Sequence, residues 1–161
     1  MPSAFEISPA VTAADLAEVA RLFDAYAASL PVDLAYQDFA GELAGLPGKY
    51  APPAGALLLA RDNAGEAIGC VGLRPLSDPG ACEMKRLYVA PAGRGLGLGR
   101  ALMQAVTDQA RRLGYREMRL DTLPTLTAAQ SLYRQGGFVP MPAYYHTPVE
   151  GTVFLRLDLA D

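Results

Sequence analysis

The chain has 161 residues, 51% of them hydrophobic, and a formal net charge of -3. That is the length of one ordinary domain with enough apolar material for a sizeable core, and the acidic balance argues against a nucleic-acid or anionic-membrane surface. Two cysteines, Cys70 and Cys82, are too few for a disulfide framework, and the single His146 cannot build a metal cluster, so no metal is expected.

The opening "MPSAFEISPA" lacks a basic start followed by an apolar run, and no stretch approaches a membrane span. A soluble cytoplasmic protein is the expectation. Residues 5–8 read as a short strand. Thr12 opens a helix, "TAAD" fitting the capping box with Asp15 in place of Glu. Leu16, Val19, Phe23, Tyr26 and Leu30 then recur at helical spacing, which gives that helix one buried face. "YQDFAGELAGL" predicts a second short helix, followed by a loop from Gly45 to Pro53. "GALLLARDNAGEAIGCVGLRPL" reads as two strands around the turn Asn63-Ala64-Gly65, and "CEMKRLYVA" as another strand that Pro91 and Gly93 end.

From Leu98 the residues Leu102, Val106, Ala110 and Leu113 continue a helical stripe, which Gly114 terminates. "YREMRLDTL" is a strand, "TAAQSLYRQ" a helix closed by Gly136-Gly137, and "GTVFLRLDL" a last strand. A helical start, hairpin strands, then strand, helix, strand, helix, strand make an α/β protein with a mixed rather than purely parallel sheet.

The stretch "RGLGLGRAL" carries the chemistry. A strand feeds a loop that opens a helix, and the first N–H groups of a helix have no intrahelical partner. The helix dipole adds partial positive charge there, worth roughly 0.3–1 kcal/mol to an anion. Gly95, Gly97 and Gly99 let a phosphate approach the backbone. Lys85, Arg86, Arg94 and Arg100 bracket the loop. It is not a phosphate loop of the Gly-Lys-Ser/Thr kind, since Arg100-Ala101 follow Gly99. The dinucleotide pattern G-x-G-x-x-G also fails: starts at Gly93, Gly95 and Gly97 meet Leu98, Arg100 and Leu102 at the last position. Without that register, Asp121 reads as a strand-end residue.

Arg94-Gly95-Leu96-Gly97-Leu98-Gly99 resembles the R/Q-x-x-G-x-G/A signature of the GNAT N-acetyltransferase superfamily. "MKRLYVAPAGRGLGLGRALM" is similar to that family's central strand, pyrophosphate loop and helix. "LDTLPTLTAAQSLYRQGGFVP" is similar to its second half, with Leu132, Tyr133, Gly137 and Phe138 in the motif positions. The resemblance implies a single N-acetyltransferase domain over 1–161, with a mixed, mostly antiparallel central sheet flanked by helices. It implies acetyl-CoA, or a related acyl-CoA, as donor, with an amine-bearing acceptor as the other partner. Neither nucleic acid nor membrane is expected as a partner, and a homodimer stays open. By position, backbone groups of Leu87, Tyr88 and Val89 would line the pantetheine arm and acyl carbonyl. Arg94, Gly95, Leu96, Gly97, Leu98, Gly99 and Arg100 would hold the pyrophosphate. Family members often carry Asn seven residues before the motif Tyr; here that residue is Leu126.

Acyl transfer to an amine needs a neutral amine, a stabilised carbonyl oxygen and a protonated leaving thiolate. The resemblance puts the Tyr133 hydroxyl near the sulfur as the acid; the plainer alternative is a packed helix tyrosine. The oxyanion donor would be a backbone N–H near Leu87 or Tyr88. Period-two alternation puts Glu83, Lys85, Leu87 and Val89 on one strand face, which makes Glu83 the candidate base. The alternative is a carboxylate paired with Lys85 or Arg86. His146, in the aromatic and proline-rich loop "MPAYYHTPVEG", is the other candidate base. The expected reaction is acetyl transfer to a small amine or amino acid by direct attack in a ternary complex. A non-catalytic acyl-CoA-binding module, or a protein N-terminal or lysine acetyltransferase, is the alternative.

Overall fold

The computed structural model describes residues 4–160. β1 (Phe5–Pro9) leads into α1 (Ala13–Ser29). Thr12 caps α1 as the sequence predicts: its hydroxyl accepts from the Asp15 N–H at 3.0 Å, and the Asp15 carboxylate accepts from the Thr12 N–H at 3.4 Å. The short helix expected over 36–46 is divided. A 3-10 turn, Leu34–Gln37, precedes α2 (Phe39–Ala44), and Asp38 between them has φ 54, which a right-handed helix cannot pass through.

β2 (Ala56–Asp62) and β3 (Ala67–Pro75) form the expected hairpin, and β4 (Ala81–Val89) adds to it. α3 (Leu98–Arg112), β5 (Glu117–Thr122), α4 (Thr127–Gln135), β6 (Val139–Pro140) and β7 (Val153–Asp158) follow. Among the described residues the sheet has seven strands in the order β1-β2-β3-β4-β5-β7-β6, and β4–β5 is its parallel pair. This is the mixed, mostly antiparallel sheet expected. β6, only two residues long, carries no alternation that sequence could reveal.

α3 and α4 cover one face of the sheet. Leu98, Leu102, Val106 and Ala110 are each 1% exposed or less and pack on Ile68, Val71, Met84 and Leu120. α1 covers the other face, with Val19, Leu22 and Phe23 packed on Leu57, Leu59, Cys70 and Tyr50.

Two features of β4 shape the site. First, β4 and β5 pair only from Ala81–Glu117 to Glu83–Arg119; beyond that point no pairing joins them and a cleft opens in the sheet. Second, the β3–β4 register shifts between Cys70 and Gly72. Gly72 faces Lys85 and Cys70 faces Tyr88, so Arg86 and Leu87 together oppose Val71, a bulge with Arg86 at φ 60. The extra residue reverses the alternation. Leu87 and Val89 turn to the α3 face, while Lys85 and Tyr88 share the α1 face. The expectation that Glu83 and Lys85 share a face with Leu87 and Val89 is thereby corrected.

Candidate active site

The glycine loop enters α3 with Gly95 at φ 80 and Gly97 at φ 74, and a Cβ on either would meet open space. Glycine is needed there for the left-handed turn and leaves the approach to the backbone clear. Gly99 differs: its backbone is not left-handed, and a Cβ there would make ordinary contact with the Leu132 side chain at 3.4 Å, so neither conformation nor space demands glycine. Gly97 caps α3 with no side-chain bond. Among the described residues, the backbone N–H groups from Gly95 to Arg100 find no acceptor, and the first in-helix bond runs from Ala101 to Gly97. That is a cradle for an anion. The Leu98 side chain is buried in the core, so only its backbone faces the cradle. Arg94 is exposed and lines the adjoining groove, whereas Arg100 donates to Gln135 at 2.6 Å.

From the cradle a groove of about 500 Å³ runs along Leu87, Tyr88 and Val89 on one side and Leu126, Thr127 and Leu132 on the other. It continues past Leu87 and Leu126 into the cleft between β4 and β5. The cleft itself is tight, about 50 Å³, and both faces of the opened sheet contribute to its walls. Tyr133, Leu87 and Leu120 line it, as do Lys85, Arg86, Gln37 and Asp121.

Tyr133 is 8% exposed and packs against Phe138, with ring centroids 5.9 Å apart. Its hydroxyl has no hydrogen-bond partner among the described residues, yet no buried side-chain oxygen is left unsatisfied. The hydroxyl therefore opens on the cleft. Burial pushes its pKa well up, with Tyr26 and Asp121 adding to the effect, so it stays protonated and able to donate.

Lys85 lies in the cleft wall, 6% exposed, its ammonium 3.4 Å from Asp121 and 3.1 Å from the Gln37 side-chain amide oxygen Oε1. Burial draws the Lys85 pKa down, and the opposing pull of Asp121 and Glu83 does not cancel it. For Asp121 burial would raise the pKa, but Lys85, the Tyr145 hydroxyl and Arg86 outweigh it and hold the carboxyl below its ordinary value. The Tyr145 hydroxyl donates to Asp121 at 2.7 Å. Arg86 grips Glu42 with two nitrogens at 3.1 and 3.0 Å and stacks over Phe39.

Glu83 sits where β4 and β5 still pair, at the closed end of the cleft, and is not among its walls. Arg74 donates to it at 2.7 Å, the Tyr144 hydroxyl also donates to it, and it is 1% exposed. Its partner is thus Arg74, not Lys85 or Arg86. His146 is exposed, away from the cleft walls. Asp121, which sequence reading passed over, is the carboxylate on the cleft wall. The signal for it was its alternation with Leu120 along β5, but its partner Lys85 is 36 residues away on another strand.

Among the described residues no helix is long and apolar enough to cross a membrane, and no group of three or more His, Cys, Asp or Glu could hold a metal ion.

Residues 19–138 match the acetyltransferase (GNAT) family. An uncharacterized N-acetyltransferase of Schizosaccharomyces pombe is 43% identical over 99% of this chain and 98% of its own length. A Klebsiella pneumoniae protein solved as an acyl-CoA N-acyltransferase is 30% identical and superposes with a TM-score of 0.75, over 97% of this chain and 98% of its own. A Salmonella typhimurium acetyltransferase, solved with its cofactor acetyl-CoA, has the same fold at 23% identity, with a TM-score of 0.69 over 99% and 96%.

Proposed function

The chain belongs to the GNAT acetyltransferase family, and from that premise we propose that it moves an acetyl group from acetyl-CoA to the amine of a small amine or amino acid, as a single cytoplasmic domain. One observation carries the reading: an anion cradle at the start of α3 continues through an apolar groove into a cleft lined by a tyrosine whose hydroxyl has no partner among the described residues. Acetyl-CoA, when bound, supplies the thioester.

In this reading the N–H groups from Gly95 to Arg100 hold the pyrophosphate and Arg94 adds positive charge at the groove. The Leu87–Val89 backbone lines the donor arm. A backbone N–H beside the bulge at Arg86 stabilises the carbonyl oxygen as charge builds. Tyr133 donates its proton to the departing sulfur. Asp121 accepts a proton from the attacking amine and passes it to water, since a carboxyl held below its ordinary pKa does not keep it. Glu83 fixes Arg74 and Tyr144 at the closed end of the cleft. Its role is positioning rather than proton transfer.

The test is release of free CoA from acetyl-CoA with a panel of amines, amino acids and N-terminal peptides. Turnover with a small amine or amino acid is expected. Acetyl-CoA binding with no release across the panel would favour a module that holds acyl-CoA without chemistry.

A further inference from the structure

The chain contains only two lysines, Lys49 and Lys85, beside twelve arginines. Lys85 is in the cleft where the acyl group is to be delivered. With its side chain 5% exposed, it is reached only from inside that cleft. The groups that acylation of an amine requires surround it. Asp121 is 3.4 Å from its nitrogen and can take a proton; Tyr133 lines the same cleft with a hydroxyl free to donate one. The cleft offers about 50 Å³, room for roughly one or two waters. Among the described residues, nothing else on its walls is a primary amine.

We propose that Lys85 is a self-acetylation site: with acetyl-CoA bound and no acceptor present, its side-chain amine takes the acetyl group and the product closes the acceptor end of the cleft. The proposal rests on the acyl-transfer reading of this cleft. The ammonium gives one proton to Asp121, and the freed nitrogen lone pair attacks the thioester carbonyl. A C–N bond forms and the C–S bond breaks. Tyr133 protonates the leaving sulfur and recovers a proton from the new amide nitrogen. The proton on Asp121 leaves to water, so one proton is released per acetyl group. No oxidant or reductant is involved. The burial that draws the Lys85 pKa down makes the first proton transfer easier than for a surface lysine. The resulting amide has no charge, so it abandons the pair with Asp121, and its added acetyl group fills the space an acceptor amine would enter. An acceptor in the cleft competes for the same acetyl group, so self-acetylation is a response to acceptor shortage.

The experiment incubates the full chain with acetyl-CoA alone, follows the intact mass, and maps acetylated peptides at Lys85 and Lys49, with acetyl-CoA affinity measured by calorimetry in parallel. Gain of one acetyl group is expected, at Lys85 at least about tenfold faster than at the exposed Lys49. Tyr133→Phe should slow labelling of Lys85 by about tenfold or more while leaving Lys49 unchanged. An amine that is turned over should protect Lys85. The mapping needs no variant of Lys85, so misfolding cannot obscure it; Lys85→Arg, which keeps the charge beside Asp121, should abolish the mass gain. Acetyl-CoA binding with Lys85 unmodified in the absence of any amine, in protein that turns over an amine once one is added, overturns the proposal and leaves the acyl-transfer reading standing. Equal labelling of Lys49 and Lys85, or labelling that persists at the same rate in unfolded chain, also overturns it. Absence of acetyl-CoA binding would overturn the acyl-transfer reading beneath it.

Discussion

Tyr133 and Asp121 both line a cleft too narrow for bulk water, and each is held in the protonation state that the proposed reaction asks of it. Burial keeps the phenol protonated, and the cations around Asp121 keep the carboxyl ionised. Tyr133→Phe keeps the ring against Phe138 and removes only the hydroxyl. Turnover should fall by about 100-fold, the lower end of what a general acid contributes, with acetyl-CoA affinity unchanged by calorimetry. Intact turnover would return the proton to water. The two carboxylates are separated by a pH–rate profile with one active amine. Asp121→Asn should lower turnover most near neutral pH and least at high pH, where more of the acceptor is already neutral. Glu83→Gln should lower turnover evenly at every pH, because it loosens Arg74 and Tyr144 without touching the reacting amine. A pH-selective loss in Glu83→Gln would restore it as the base.

At the scale of elements, the glycine loop and α3 were legible because each residue's role is local. Three glycines in a row of alternate positions mark a loop with clear backbone access, and the stripe Leu98, Leu102, Val106, Ala110 fixes the buried face of the helix. The bulge in β4 was not legible. Arg86 is an ordinary residue in an unbroken strand pattern, and its positive φ falls where the register with β3 shifts, which only the pairing reveals. A period-two reading of the strand therefore failed by one residue, and that one residue moved Glu83 to the wrong face. The loop itself gives a direct test. Gly97→Val forces a β-branched side chain into φ 74, where such residues are strained by about 1 kcal/mol or more, and sets a branched group beside the open N–H groups. The folded variant should bind acetyl-CoA at least about tenfold more weakly, a loss of roughly 1.4 kcal/mol. Unchanged affinity in a titration would remove the loop from pyrophosphate binding. Gly99→Ala, by contrast, meets Leu132 at 3.4 Å and Val89 at 3.9 Å and should leave affinity within about twofold, since those spacings are ordinary contact.

On the scale of the whole molecule, the cleft is held by buried ion pairs that join distant segments: Lys85 to Asp121, Arg86 to Glu42, Arg74 to Glu83. None of these partnerships could be read from sequence, because each depends on strand register or on where α2 docks. They also tie the stability of the fold to pH. For Glu42 burial would raise the pKa, but the bonds from Arg86 and Tyr50 outweigh it and leave the carboxyl below its ordinary value, as Lys85 and Tyr145 do for Asp121. A carboxyl whose folded pKa is depressed contributes stability that is fully present above its unfolded pKa, about 4, and is lost as pH falls through that value toward the folded one. Melting temperature should therefore be flat from neutral pH down to about pH 5 and then drop steeply. Glu42→Gln keeps the size and one acceptor for Arg86 but cannot be protonated. It should start lower, by about 3–5 kcal/mol for a buried cation left without its counter-charge, and then fall less steeply as acid is added. Asp108→Asn removes one side of a half-exposed pair with Arg111 and should change neither the starting value by more than about 0.5 kcal/mol nor the slope. Thermal melts of the three proteins between neutral and acid pH decide the point. An acid slope in Glu42→Gln as steep as that of the parent chain would mean that the acid limb arises elsewhere, and that the Arg86–Glu42 pair positions the cleft without governing the acid stability of the fold.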